Sequence, residues 1–428
     1  MTLYCNKDII EVTYDCSLEV LEFFSAEEQN IQRYVEEQLM NILVIGNGFD
    51  LAHGLPTKYG DFLAFCEAIK NINKWKMLGN LAAINKMLVS SYQTLNSGIR
   101  LMLPKKFGDV LSDKSNELID LIDDNCWIEY FLQCEMYQKE NWIDFESEIS
   151  NVIQSIDRDM HDGLSCEFKL EDEAQCISNK FLNERYCDSQ ITYRKLRDIL
   201  VSDLNKLIRA LELYLCEFVN NLNCKRISPD IEKLSFDKVL SFNYTDTYRK
   251  IYDLKELSEY DYIHGKADPL HFLNTNNMVL GIEEYLSKER KNKEVEFIAF
   301  KKYYQRIYKE TGCKYKEWVD DIRSDMPIRN LKLAYVDEGG SKVYQSENSK
   351  YHNLYIFGHS LDITDKDVLR DLILNNNVYT TIFYFNKDDF GTKIANLVKV
   401  IGQDELIKRT GGNTKTIEFE LQKDMVDR

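Results

Sequence analysis

The stretch Asn41–Phe62, NILVIGNGFDLAHGLPTKYGDF, decides the fold. Ile42-Leu43-Val44-Ile45 is an unbroken apolar run, the pattern of a parallel strand buried on both faces. Gly46 and Gly48 follow at once. A glycine-rich turn directly after such a strand lets the backbone approach a ligand phosphate, because no Cβ intervenes. A standard dinucleotide fingerprint would place a third glycine at position 51, which is Leu51. Gly54-Leu55-Pro56 extends the loop past the point where that fingerprint would enter its helix. Taken alone, the Gly-x-Gly pair fits an ordinary tight turn as well as a phosphate loop.

Working outward, Tyr59–Ile69 has helical spacing of apolar residues. From about residue 80 to 230 helical patterns dominate, over Leu81–Leu103, Ser115–Gln138, Asp144–Ile156 and Ile191–Asn221, with sparse glycine and proline. Trp142 reads as a core residue. Glu146, in the first turn of the third of these helices, reads as a carboxylate favoured by the helix dipole rather than as a catalytic group. Strands return at Lys238–Asn243, Asp261–Gly265 and Met278–Gly281, then at Asn353–Gly358, Tyr379–Phe385 and Thr416–Leu421. Helices are expected over Glu289–Tyr308, from near Thr364, and over Phe390–Ile401. Strands alternating with helices imply a parallel sheet with right-handed crossovers.

The 428 residues carry a formal net charge of −17, which disfavours non-specific nucleic-acid binding. The basic run Lys288–Lys293 with Lys301-Lys302 reads as a solvated helix face. Eleven scattered cysteines, none in Cys-x-x-Cys spacing, suit free thiols in a reducing cytoplasm. No apolar stretch spans a membrane and no secretory signal precedes the first strand, so a cytoplasmic location is expected. His53, His161, His271, His352 and His359 show no metal spacing, and no metal is expected. No Gly-Lys-[Ser/Thr] closes a glycine loop, which argues against a P-loop nucleotidase.

Four strands end in polar signatures: Gly46-Asn47-Gly48-Phe49-Asp50, Ser241-Phe242-Asn243-Tyr244-Thr245-Asp246, Ile263-His264-Gly265 and Phe357-Gly358-His359-Ser360-Leu361-Asp362. In an open α/β sheet, ligands bind outside the carboxyl ends of the strands, so these four converge on one crevice. In their order the four ends resemble those of the sirtuins, and that resemblance implies cleavage of a nicotinamide–ribose bond. Such cleavage passes through an oxocarbenium-like state and needs an orienter for ribose and water and a base near neutral pH. Asn243 offers donors and an acceptor, His264 titrates in the right range, and Asp50 stands close to contact ribose or water.

This set, in this order, resembles the sirtuins: Gly-Ala-Gly-x-Ser then Gly-Ile-Pro, Thr-Gln-Asn-Ile-Asp, His-Gly and Gly-Thr-Ser-Leu. More closely it resembles the bacteriophage abortive-infection family AbiH, from Met40 onward. The resemblance implies an α/β fold with a sirtuin-like, Rossmann-type parallel sheet and a large α-helical insertion. Residues 1–39 would be an N-terminal extension, either a cap or an oligomerisation arm. Residues 40–80 and 235–428 would form the NAD-binding core, 81–234 the helical insertion, and 285–350 a second, charged insertion. It further implies catalysis by His264, Asn243 and Asp50, and cofactor contacts from Gly46, Asn47, Gly48, Phe49, Gly54, Pro56, Ser241, Gly265, Gly358 and Ser360. The absence of paired Cys-x-x-Cys argues against a deacetylase with a zinc ribbon. The expected activity is NAD+ hydrolysis in anti-phage defence, with a phage-derived trigger as partner. Two other readings stay open: a sensor that binds NAD or an ADP-ribose derivative without turnover, and an ADP-ribosyltransferase.

Overall fold

The computed structural model describes residues 39–77, 95–107, 112–140, 143–161, 193–324, 328–336 and 342–428. The expected N-terminal extension, most of the Leu81–Leu103 helix and Trp142 lie outside these residues.

Six strands form one parallel sheet: β1 (Asn41–Ile45), β2 (Lys238–Ser241), β3 (Glu259–Tyr262), β4 (His352–Phe357), β5 (Val378–Tyr384) and β6 (Ile417–Leu421). Their spatial order is β3-β2-β1-β4-β5-β6, the order of the doubly wound Rossmann fold. β1 is central because it is apolar at every position after Asn41. Ile42 and Val44 pack into the cluster on one face, Leu43 and Ile45 into that on the other. The register pairs Ile45 with Ser241 and with Phe357, and Ser241 with Tyr262. Each polar signature therefore begins at the same level of the sheet.

The helices that cover the first face are α6 (Tyr315–Ser324), α7 (Lys366–Ile373) and α8 (Lys387–Ile401). The α6 residues Tyr315, Trp318, Val319 and Ile322 recur with helical period and join the sheet core. Part of the expected second insertion is thus a crossover helix of the core. The segment 328–336 forms an antiparallel hairpin with 342–350.

The helical insertion shares a separate core with α2 (Tyr59–Met77). Its main elements are α3 (Phe145–His161) and α4 (Tyr193–Glu217). Phe62, Phe65 and Ile69 of α2 meet Leu207, Leu211 and Tyr214 of α4 in that core, and the Tyr214 hydroxyl donates to the Pro56 carbonyl at 2.8 Å. The Asp144 carboxylate starts α3 by accepting from the Glu146 and Ser147 amides at 3.0 and 3.3 Å.

Three expectations fail. Ser115–Gln138 is not one helix but is broken into helices at Asp113–Ile122, Cys126–Phe131 and Glu135–Glu140. Met278–Gly281 is not a strand. Side chains take the place of a neighbouring ladder: Gln305 pairs with Leu280 N–H and carbonyl, both at 3.0 Å, and the Tyr244 hydroxyl donates to Val279 O at 2.7 Å. Glu289–Tyr308 is not one helix. Turns fill 289–297, and only α5 (Lys302–Tyr308) is helical, after a single 3₁₀ turn.

The loops after β1 and β4 interlock. The Gly48 amide donates to the Gly358 carbonyl at 2.8 Å. A Cβ on Gly48 would lie 2.7 Å from that oxygen, and one on Gly358, whose φ is 69°, would strike the Phe49 amide nitrogen. Gly54 also has positive φ, 79°, but faces open space. Gly358→Ala is expected to destabilise the protein by about 3 kcal/mol, combining backbone clash with left-handed strain, and Gly54→Ala by only about 1 kcal/mol. Denaturant unfolding of the two variants checks the difference.

Candidate active site

Beyond the strand ends lies a cavity of about 130 Å³. After β1 the chain turns straight into the short helix α1 (Asn47–Ala52), which brings Asn47 and Asp50 to the wall. After β2 come Phe242, Asn243, Tyr244 and Thr245, and after β3 comes His264. Thr57 and Tyr59 add the start of α2, and Leu211 and Leu215 of α4 close the cavity from the insertion.

Asp50 is 1% exposed. Thr245 Oγ1 donates to its Oδ2 at 2.6 Å, and Thr247 Oγ1 donates in turn to Thr245 at 3.1 Å. The other oxygen, Oδ1, is buried without a hydrogen-bond partner. Burial pushes the carboxyl up to about 6, against the opposing hydrogen bond of Thr245 and the polar groups of Thr247 and Asn243 nearby. Asn243 is fixed beside it: its Nδ2 donates to Gly46 O at 2.9 Å and its backbone N–H to Ser241 Oγ at 3.1 Å.

His264 is 6% exposed. Its Nε2 stands 3.3 Å from Asp365 Oδ1, out of line for a hydrogen bond. Asp365 ends the 3₁₀ turn that precedes α7 and has two further neighbours: His359 Nε2 lies 3.4 Å from its Oδ2, and Lys302 Nζ 3.5 Å from its Oδ1. Lys302, only 2% exposed, reaches Glu146 Oε2 of α3 at 2.7 Å. Burial, and then the Lys302 charge, press the His264 imidazole down to about 4, against the pull of Asp365. Burial raises Glu146 to about 7 despite the ammonium beside it. Burial also lifts the Tyr59 and Tyr244 hydroxyls above the usual phenol range.

The cavity brings together Asp50, Asn243, His264 and Asn47 of the residues singled out in the sequence. The others stand elsewhere. Phe49 is wholly buried under the sheet against Tyr248, Tyr252 and Phe357, so it is core. Ser241 Oγ donates to the Asn243 carbonyl at 3.1 Å and closes the turn after β2. Gly46, Gly48 and Gly358 pack against the opposing loop, and Gly265 packs on the Asn277 backbone. Pro56 accepts from Tyr214, Gly54 faces open space, and Ser360 is exposed.

Glu146, Lys302 and Asp365 were not foreseen near the site, and His359 was singled out only within its strand-end signature. Lys301-Lys302 reads as a solvated basic run, yet both residues are buried. Lys302 is drawn in by Glu146, more than 150 positions earlier in the chain, which no local pattern reveals. One local signal did exist: a helix-start Glu next to apolar Phe145, on the buried side of α3.

Among the described residues no group of three or more His, Cys, Asp or Glu side chains is arranged to hold a metal ion, and no helix is long and apolar enough to cross a membrane. The family model described as "Bacteriophage abortive infection AbiH" matches residues 42–386, most of the chain. No curated protein matches the chain.

Because burial raises the Asp50 carboxyl from 3.8 to about 6, its ionisation opposes folding. Its native form binds a proton more readily than the unfolded one. The penalty is absent below about pH 4, grows as pH rises towards 6, and reaches roughly 3 kcal/mol above that. Asp50→Asn is expected to be more stable than wild type by that order at pH 7.5 and equal to it near pH 4, measured by denaturant unfolding at both pH values.

Proposed function

The chain belongs to the bacteriophage abortive infection AbiH family, and from that premise and the geometry of the cavity we propose that it cleaves NAD+ at the nicotinamide–ribose bond. The observation that carries this reading is the buried Asp50 carboxylate, with one oxygen unpartnered, on a cavity wall shared with Asn243 and His264. These three groups come from the carboxyl ends of three adjacent strands of a Rossmann-ordered sheet, the edge on which such sheets carry ligands, displaced here to the β1–β2–β3 side of the switch point. The sequence resemblance to sirtuins supports the same substrate.

In this reading the C1′–N bond breaks and its electron pair neutralises the pyridinium, so nicotinamide leaves without a general acid. The Asp50 carboxylate faces the oxocarbenium-like ribose and stabilises its charge. Water adds to C1′, and Asp50 takes the water proton. A group near 6 matches a base that works at neutral pH. Asp50 thus takes the role expected for His264 in the sequence, since burial and Lys302 press that imidazole down to about 4. Asn243, held by Gly46 O, presents its amide to a ribose hydroxyl or to the water. His264 is uncharged at neutral pH and accepts a hydrogen bond from the same water. The products are ADP-ribose, nicotinamide and a proton.

A second reading, a sensor that holds the nucleotide without turnover, draws on two observations. The His264 imidazole is a weak base, and the cavity lies below the roughly 300–1,000 Å³ of sites that enclose a whole drug-sized ligand. The purified protein is therefore incubated with NAD+, alone and with lysate of phage-infected cells, and assayed for free nicotinamide. Release is expected in at least one condition. Asp50→Asn and Asn243→Ala are each expected to lower it about 100- to 10,000-fold while the protein stays folded. The double variant should be little worse than either single one. Full release by both folded variants contradicts the site assignment. Binding without release in any condition favours the sensor.

A further inference from the structure

Lys302 is a charged side chain buried at the junction of three elements, and a role only in packing leaves its position unexplained. It opens α5, where its backbone N–H donates to Ile282 O at 2.9 Å. Its ammonium stands between Glu146 of the helical insertion, at 2.7 Å, and Asp365 of the core, at 3.5 Å. The Asp365 oxygen it faces, Oδ1, is the same one that lies 3.3 Å from His264 Nε2. Asp365 Oδ2 is occupied by His359 at 3.4 Å.

We propose that Lys302 is a positioning residue for the cavity: lodged between Glu146 and Asp365, it competes for the carboxylate that would otherwise pair with His264, and so keeps that imidazole uncharged and able to accept a hydrogen bond. A buried histidine beside an unshared carboxylate is drawn towards the imidazolium form, which has no acceptor nitrogen. Here one carboxylate stands within reach of two imidazoles and an ammonium, and the ammonium is held charged by Glu146 and Asp365 against the cost of burial. Burial is the largest single effect on Asp365 and works against its ionisation, but Lys302, His264 and His359 together hold its carboxyl well below the usual carboxylate range. The insertion thereby takes part in the site through Glu146, besides closing the cavity with Leu211 and Leu215.

The charged and titratable groups that face His264 come from several elements. Asp365 lies after β4, Lys302 and Arg306 on α5, and Tyr244, its ring 6.4 Å away, after β2. Glu146 of α3 and Glu283 of the 281–287 loop act on it through Lys302. Of these, Lys302 and Arg306 disfavour a charged imidazole and Asp365 favours one. Arg306 also pairs with Asp367 at 2.9 Å, which leaves Lys302 as the repulsion that counts.

The purpose of this arrangement rests on the proposed cleavage reaction, but its test uses no NAD and fails or succeeds separately. The full chain is labelled with ¹³C-histidine and titrated by NMR from pH 4.5 to 8, the His264 signal being assigned by its loss in His264→Gln. In wild type His264 is expected to show no protonation above about pH 5. In Lys302→Met its midpoint is expected to rise by about one unit or more, towards the ordinary histidine range, with burial still holding it down. Lys302→Arg, which restores the charge, should silence it again. A wild-type His264 that titrates between pH 6 and 7 overturns the proposal, even where Lys302→Met fails to fold. A folded Lys302→Met in which His264 stays silent overturns it as well. A purely structural lysine would change stability and leave the imidazole titration where it was.

Discussion

The hydrogen bond from the Gly48 amide to the Gly358 carbonyl joins the two loops at the point where the strand order reverses. Neither loop has room for a Cβ there. That crossing fixes the ends of β1 and β4 against each other, and Asn243 ties the end of β2 to the same place through Gly46 O. The crevice that this sheet order normally opens between the first and fourth strands is filled by backbone. The open space is displaced to the β1–β2–β3 side, where Asp50, Asn243 and His264 line it. The glycines thus shape the site by letting two loops touch, and the β1 loop that carries Asn47 and Asp50, with Asn243 tied to it, is placed by that contact.

A second feature is the use of buried side chains where a sheet or helix would ordinarily satisfy the backbone. Glu212 of α4 is fully buried and accepts from Arg209 at 2.6 Å, His271 at 2.6 Å, Asn276 at 2.5 Å and the Asp268 amide at 3.2 Å. It anchors the 268–276 loop to the insertion. Gln305 and Tyr244 do the same for 279–280. Breaking one partner of such a buried charged set strands the rest, so insertion and core are joined by specific contacts as well as by apolar packing.

The sheet was legible in the sequence where a strand is a short apolar run with a polar end, as in β1 and β2, and the helices where their apolar faces repeat at 3.6 residues. The strand β3, Glu259-Tyr260-Asp261-Tyr262, lacks such a run and starts two residues before the expected position. Met278-Val279-Leu280-Gly281 has the same composition as a strand, and nothing local distinguishes a run paired to side chains from one paired to another strand. Phe49 sits inside a loop motif, but α1 begins at Asn47 and turns its ring under the sheet. Asp50, Asn243 and His264 were visible because each follows a strand directly. Lys302, Glu146 and Asp365 were not, since a buried ion network is built from residues that look like solvated surface until their partners are known. A lysine in a basic run carries no mark of burial, and Glu146 looked like a helix-start carboxylate because it is one.

The central claim is that this cavity adds water to the ribose of NAD+. Its most direct measurement is mass spectrometry of the products after incubation with NAD+ in H₂¹⁸O, with and without lysate of phage-infected cells. The expected result is unlabelled nicotinamide together with ADP-ribose that carries one ¹⁸O from solvent, in at least one of the two conditions. NAD+ recovered intact in both, or ADP-ribose found only attached to protein, would contradict it.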